Sequence, residues 1–321
     1  MSERRWHPIL EQWVITATHR QDRTFLPPKD YCPLCPTKEG AFPTEIPSSS
    51  YDIAVFENRF PSLSSNAPEP AITATALCDV KDASGVCEVI LYTPNHTTSL
   101  ANLETSQIEK LIQVWQDRYN ELGSRQEIDY VFIFENKGES IGVTIPHPHG
   151  QIYAFNYLPP IIEKELLSQK KHFAATKRCL HCDLIKEEQM TGDRLITSNN
   201  NFIAFVPFYA RFPYEVHVYS KAHLSSLGEF TSAHINDLAQ ILKTVLTKFD
   251  NLWQMSLPYI MVMHQEPTDN KDHPGCHFHI EFYPPNRTKE KLKYLAGCES
   301  GAGTFINDTL PEETAKRLRD A

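Results

Sequence analysis

The chain of 321 residues lacks a run of about 18 consecutive apolar residues, which a membrane-spanning helix requires. The stretch from Met1 to Trp6 also lacks the apolar core of a signal peptide, and a cytoplasmic location is expected. An excess of positive charge is missing too. The formal net charge is -9, so general attraction to nucleic acid is excluded and any phosphate binding has to be local. Hydrophobic residues make up 41%, an ordinary share for a globular protein, and the length suffices for one large or two medium domains.

Four of the eight cysteines form two CxxC pairs, Cys32/Cys35 and Cys179/Cys182. In a reducing compartment, paired CxxC with downstream histidines reads as metal binding rather than as disulfides, with redox-active or inert pairs as the alternatives. Cys78, Cys87, Cys276 and Cys298 read as small buried or half-buried residues.

The most informative stretch is Ile145-Pro146-His147-Pro148-His149-Gly150-Gln151. In an extended strand, residues i and i+2 share a face, so His147, His149 and Gln151 are expected to line one side. An imidazole there can act as nucleophile or hold a metal, and the amide can donate to a phosphate oxygen. Gly150, having no Cβ, would let a substrate approach the backbone.

Read in order, Gln12–Thr16 is strand-like, and Arg20 and Arg23 follow in a polar loop. Strands are expected at Asp52–Phe56, Glu88–Thr93 and Tyr130–Phe134, with Glu135–Gly138 as a turn. Residues 62–84 read as a long loop rich in Ser, Pro, Ala and Asp. A helix starts at Thr105 or Ser106, shows Ile108, Leu111, Ile112, Trp115 and Tyr119 at helical spacing, and stops at Gly123.

The second half repeats this order. Glu215–His223 overlays Glu88–His96 without a gap at an offset of 127, and His277-Phe278-His279 overlays His147-Pro148-His149 at 130. A second long helix begins near Thr231, with Ile235, Leu238, Leu242 and Leu246 as its stripe. Steady offsets across unlike elements imply a duplicated α+β unit, mostly antiparallel, with one long helix per half and halves at residues 1–165 and 166–321. The two HxH strands are placed at the centre of a shared sheet.

Duplication turns the metal reading into paired ligand sets. Tetrahedral zinc wants four soft or borderline ligands, and each CxxC supplies two. The first set is Cys32, Cys35, His96 and His147; the second is Cys179, Cys182, His223 and His277, with His279 as the rival to His277. Such a metal would stiffen the strand that carries His149. Only the first HxH is followed by Gly150 and neutral Gln151. In the second, Ile280 obstructs and Glu281 would repel a phosphate, so His149 is assigned as the nucleophile and His279 as structural.

At these residues the sequence resembles the galactose-1-phosphate uridylyltransferase family, within the histidine-triad superfamily. The matching stretches are FENKGESIGVTIPHPHGQIYAFNYLPP, YCPLCP, EVILYTPNH and the FYPP…GCESGAGTFIN…PEETAKRLR tail, nearly the whole chain. Histidine-triad hydrolases carry a third histidine where Gln151 stands, and the glutamine marks the transferase branch. The resemblance implies a histidine-triad-like fold and a ping-pong transfer of uridylyl from UDP-glucose, through His149, to galactose 1-phosphate. Gln151 would then bond the nucleotide phosphates.

By matching position, Arg20, Arg23, Asn58, Asn136, Gly142 and Thr144 belong to the nucleotide and phosphate loops, and Lys293, Tyr294 and Glu299 to the hexose-phosphate group. The family supplies that tail from a neighbouring subunit, which implies a homodimer. Zinc is implied in both sites, with iron an alternative at the second. Some members hold that second metal on a Glu/His set; Glu165 and His264 match it, and Glu281 replaces one of its histidines. The two-CxxC pattern is closer to relatives described as ADP-glucose phosphorylases. An adenylyl transfer through the same histidine is therefore the alternative enzyme reading, and a zinc-stapled nucleotide-binding scaffold the non-enzyme one.

Overall fold

The structure, a computed structural model, describes residues 2–22, 31–40 and 42–321. A small antiparallel sheet in the order β2-β1-β4 is formed by β1 (Ser2–His7), β2 (Gln12–Ala17) and β4 (Val80–Asp82). The main sheet contains β3 (Ala54–Glu57), β5 (Gly85–Leu91), β6 (Tyr130–Lys137) and β7 (His149–Phe155) from the first half. From the second come β8 (Leu195–Ser198), β9 (Phe202–Phe205), β10 (Val216–Ser220), β11 (Tyr259–His264) and β12 (His279–Tyr283). Helices are α1 (Thr105–Gly123), α2 (Pro160–Thr176), α3 (Leu180–Thr191), α4 (Ser232–Asn251), α5 (Gly297–Ala302) and α6 (Pro311–Asp320). Among the described residues, no helix is long and apolar enough to cross a membrane.

The sheet order is β3-β5-β7-β6-β11-β12-β10-β9-β8, and its pairings are antiparallel. The block β3-β5-β7-β6 is mirrored by β9-β10-β12-β11 across the seam between β6 and β11. This is the arrangement a duplicated unit gives when its copies join edge to edge. The α+β class and the duplication expected from the sequence are therefore present, but the seam is not where it was placed. Tyr130–Lys137 meets Tyr259–His264 at the centre, and each HxH strand lies one position outward.

The ladder also corrects the gapless overlay of the two halves. Val89 stands opposite Gln151 and Leu91 opposite His149, whereas His217 stands opposite Glu281 and Tyr219 opposite His279. His217 thus corresponds to Val89, not to Ile90. Because side chains alternate faces along a strand, a one-residue slip inverts which side chains face the site.

The long helices α1 and α4 cover one face. The α1 stripe Ile108, Leu111, Ile112, Trp115, Tyr119 and Leu122 is buried, and so are Ile235, Leu238, Leu242 and Leu246 of α4. At the start of α4, the Thr231 side chain accepts from the His234 amide, satisfying one of the unpaired first-turn donors. One hydrophobic cluster takes side chains from both halves. Cys87 and Cys276 are buried as expected, but Cys78 and Cys298 are exposed, Cys78 in an irregular surface segment and Cys298 on the short surface helix α5.

Strand β6 runs through the residues read as a turn and ends at Lys137; the chain reverses at Gly138, whose φ of 104° a side chain would strain. On the helix-covered face, Glu135 is buried and accepts from Tyr92 Oη at 3.3 Å and Tyr259 Oη at 3.2 Å. Burial pushes its carboxyl up to about 7, partly opposed by the Lys137 charge. Between the ordinary carboxylate value and about 7, the folded state holds a proton that the unfolded state has lost. Stability is thus expected to fall by roughly 2–4 kcal/mol as pH rises through that window. Denaturant titrations at several pH values check this; the Glu135→Gln variant should show a flatter profile.

Candidate active site

His149 opens β7 and Gln151 follows on the same face, as the alternation of a strand requires. The His149 Nδ1 lies 2.7 Å from the His147 carbonyl oxygen. An Nδ1–H donating to that carbonyl fixes the tautomer and puts the ring lone pair on Nε2. Gln151 Oε1 accepts from Asn58 Nδ2 at 3.4 Å, which orients the glutamine amide. Asn58 is itself fixed, its Oδ1 accepting from the Phe60 amide at 2.9 Å.

Two cavities meet at this strand. One, of about 170 Å³, is lined by Arg20, Asn136, Gly142, Thr144, His149 and Gln151 among others. The second, of about 140 Å³, is bordered by Leu34, Phe56, Asn58, Arg59 and Val89, and shares Thr144, Ile145, His149 and Gln151 with the first. The first is rich in donors and the second is largely apolar with a charged rim, where Arg59 pairs with Glu45 at 3.0 Å. The structure thus gathers Arg20, Asn58, Asn136, Gly142, Thr144, His149 and Gln151 around one imidazole. Arg20 is anchored by Nη1 to Ser62 Oγ at 2.7 Å and to the Phe60 carbonyl at 3.1 Å. Arg23 lies outside the described residues.

Two expectations about this stretch change. His147 does not share the strand face with His149, because the segment before β7 contains Pro146 and Pro148, which cannot donate to a ladder. It turns instead into a buried pocket beside the first CxxC. Gly150 does not open the backbone to substrate either. Its hydrogens face the helix side, where an added Cβ would stand 2.3 Å from Tyr92 Oη and 3.1 Å from the Phe134 carbonyl oxygen. Gly150→Ala is therefore expected to displace β7 and reduce turnover by at least about tenfold, for a packing cost of roughly 1–3 kcal/mol. Steady-state rates with circular dichroism as a fold control check it.

Cys32, Cys35, His96 and His147 bring their donor atoms within 4.8 Å of one another, and so do Cys179, Cys182, His223 and His277. In the first set, Sγ–Nδ1 separations are 3.8 Å for Cys32–His147, 3.7 Å for Cys35–His147 and 3.7 Å for Cys35–His96. In the second they are 3.7 Å for Cys179–His277, 3.5 Å for Cys182–His277 and 3.7 Å for Cys182–His223. Zinc bonds to sulfur and nitrogen at tetrahedral angles imply an edge of about 3.6 Å, so both donor sets fit a zinc ion.

The outer contacts agree. His147 Nε2 lies 2.8 Å from the Thr93 carbonyl oxygen, and His277 Nε2 lies 2.7 Å from the Ser220 carbonyl oxygen, which leaves each Nδ1 as the ligand atom. Burial holds His147 down to about 4, so its ring is neutral, as a ligand must be. A hydrogen bond from Cys182, with His277 beside it, holds the Cys179 thiol well below the usual thiol range. The knuckles differ in backbone: Cys32–Cys35 is a turn, whereas Cys179 caps α3 and Cys182 lies in its first turn.

The second HxH is closed to substrate. His279 repeats the bond of its counterpart, Nδ1 lying 3.0 Å from the His277 carbonyl oxygen, but the ring is buried and its Nε2 is 3.5 Å from Glu281. Between the two histidines raised as the fourth ligand, the structure sends His277 to the CxxC pair. His279 instead joins Glu165, His264 and Glu281 in a separate group whose donor atoms are also within 4.8 Å.

Lys293, Tyr294 and Glu299 line neither cavity at His149. Lys293 is buried and pairs with Glu299 at 3.0 Å, and Tyr294 is 75% exposed. Sequence reasoning missed Tyr51, whose hydroxyl lies 2.8 Å from His147 Nε2 and donates to the Thr93 carbonyl at 2.7 Å. It also missed Tyr153, which continues the His149–Gln151 face and meets Arg20 at 3.3 Å; extending the i+2 rule by one step would have found it.

Family models describing the N-terminal and C-terminal domains of galactose-1-phosphate uridyl transferase match residues 1–159 and 165–321. The galactose-1-phosphate uridylyltransferase of Thermotoga maritima is 40% identical over 321 residues, covering 100% of this chain and 98% of that one. The Haemophilus influenzae enzyme of the same name is 33% identical over 98% of this chain and 93% of its own length. Among solved structures, a uridylyltransferase aligns with a TM-score of 0.88 at 36% identity, over 99% of this chain and 97% of that one. An ADP-glucose phosphorylase from Arabidopsis thaliana with bound ADP-glucose aligns at 0.76 and 25% identity, over 100% of this chain and 99% of its own. With both domains matched end to end and its full length covered, the chain belongs to the galactose-1-phosphate uridylyltransferase family.

Proposed function

We propose that the protein is a UDP-glucose:hexose-1-phosphate uridylyltransferase working in two half-reactions through His149, with galactose 1-phosphate as acceptor. The observation that carries this is the His149 ring, held at Nδ1 by the His147 carbonyl and set where two cavities meet, with Gln151 on the same face. The apolar cavity bordered by Phe56 and Val89 suits a base, and the donor-rich one lined by Arg20, Asn136 and Thr144 suits phosphate and sugar. His149 Nε2 attacks the α-phosphorus of UDP-glucose, a P–N bond forms, the bond to the bridging oxygen breaks, and glucose 1-phosphate leaves. A phosphate oxygen of galactose 1-phosphate then attacks the same phosphorus, the P–N bond breaks, and UDP-galactose leaves with His149 restored. The Gln151 amide donates to the non-bridging oxygens as charge gathers on them.

Cys32, Cys35, His96 and His147 would hold one zinc, and Cys179, Cys182, His223 and His277 a second metal, zinc or iron. When bound, the first ion supplies a crosslink between the knuckle and the segment entering β7. The halves at residues 1–165 and 166–321 each carry one such metal. Lys293, Tyr294 and Glu299, which line neither cavity at His149 in their own chain, serve the site of a second copy in a homodimer. Arg23 joins Arg20 at the phosphates, and the enzyme works in the cytoplasm.

The second CxxC set and the similarity to an ADP-glucose phosphorylase support a second reading, adenylyl transfer by the same histidine. Rapid-quench release of glucose 1-phosphate separates the two. A stoichiometric burst with UDP-glucose, at least about tenfold faster than with ADP-glucose, is expected; the reverse order would replace the first reading by the second.

A further inference from the structure

We propose that Tyr92 and Glu135, on the face of the sheet away from the cavities, form a positioning brace for His149. The inference rests on the reading of His149 as nucleophile. Tyr92 follows β5 and is fully buried, its ring edge-on to Trp115 with centroids 6.2 Å apart. It touches the catalytic strand on both sides of the histidine. Its backbone N–H donates to the Pro148 carbonyl at 3.2 Å, and its hydroxyl lies under Gly150, in the space a Cβ would need. Residues 148 and 150 are thus both met by one residue, the first through its backbone N–H and the second through its hydroxyl, and residue 149 is carried between them.

The tyrosine is itself tied down. Its carbonyl accepts from Gln107 Nε2 at 3.0 Å, and its hydroxyl donates to Glu135 Oε2 at 3.3 Å. The other Glu135 oxygen accepts from Tyr259 Oη at 3.2 Å, and Tyr259 pairs with Lys137 across the seam between the halves. A carboxyl in a dry core is costly unless its oxygens are bonded, so the two hydroxyls and the acid enforce one geometry. That geometry fixes the height of β7 against the helix layer. An imidazole attacking phosphorus in line needs this, since small misplacements of a reacting atom reduce rates steeply.

Tyr92→Phe keeps the ring and removes only the hydroxyl. Glu135→Ala removes the bridge, and Glu135→Gln keeps it, because the amide can accept from one tyrosine and donate to the other hydroxyl oxygen. The measurements are the single-turnover rate of His149 nucleotidylation by UDP-glucose, the KM for UDP-glucose, and zinc content. Tyr92→Phe and Glu135→Ala are expected to slow nucleotidylation by at least about tenfold with KM within about twofold and zinc unchanged. Glu135→Gln should stay within about threefold of wild type.

Wild-type rates in Tyr92→Phe would overturn the inference, and that near-isosteric variant decides the matter should Glu135→Ala fail to fold. Slowing that tracks zinc loss would also overturn it, since the effect would then run through the metal. If the wild-type protein forms no adduct, the reading of His149 fails and the brace with it. An adduct forming normally in wild type and variants alike removes the brace alone.

Discussion

Replacing His149 with alanine is expected to lower uridylyl transfer by at least about 10⁴-fold while leaving zinc content and thermal stability close to wild type. In the proposed mechanism the histidine contributes the attacking atom, so its loss would remove the covalent route rather than weaken it. It does not belong to either Cys2His2 set, and it is half-buried at the edge of two cavities rather than in the core. Rates with UDP-glucose and galactose 1-phosphate, together with metal analysis of the same preparation, check both halves of the statement. A variant that lost zinc in proportion to activity would show that His149 acts on the fold.

The converse substitution is Cys32→Ser. Hydroxyl oxygen is a poor zinc ligand, and the remaining Cys35, His96 and His147 would hold the ion weakly. Structural zinc contributes about 10–16 kcal/mol of apparent binding free energy in small domains, as large as the whole stability of a typical domain. Even a fraction of that, lost at the entry to β7, is expected to lower the melting temperature by at least about 8 °C. One equivalent of metal should disappear, and activity should fall indirectly as His147 and the strand behind it loosen. Metal analysis and calorimetry on the purified variant check this. Retention of full metal would move the site away from Cys32.

What could be read from the sequence was local or repeated. The ends of α1 at Thr105 and Gly123 follow from spacing and a glycine stop, and His149 with Gln151 from the two-residue period of a strand. His96 and His223 were found because the duplication marks equivalent positions, and each now stands beside its predicted cysteine. Long-range partners leave no such mark. Tyr51 meets His147 across 96 residues, and Glu135 meets Tyr259 across 124. Glu135-Asn136-Lys137 read as a turn because it is polar, yet it completes β6. Asn136 faces a cavity, and Glu135 is stabilised by two tyrosine hydroxyls from distant elements. The same limit produced the slip between β5 and β10, where a repeated Glu-Val pair outweighed the facing pattern that only the ladder defines. Helices α2 and α3 were missed because their buried positions are few, Ile162 and Gln169 in one and His181, Ile185 and Glu188 in the other.

The most direct measurement is the intact mass of the protein after brief incubation with UDP-glucose and no acceptor, followed by peptide mapping. The account predicts one uridylyl group per chain, attached to the peptide containing His149, stable to base, labile to acid and discharged by galactose 1-phosphate. A protein that releases glucose 1-phosphate only when acceptor is present, with no nucleotide ever bound to that peptide, would contradict it.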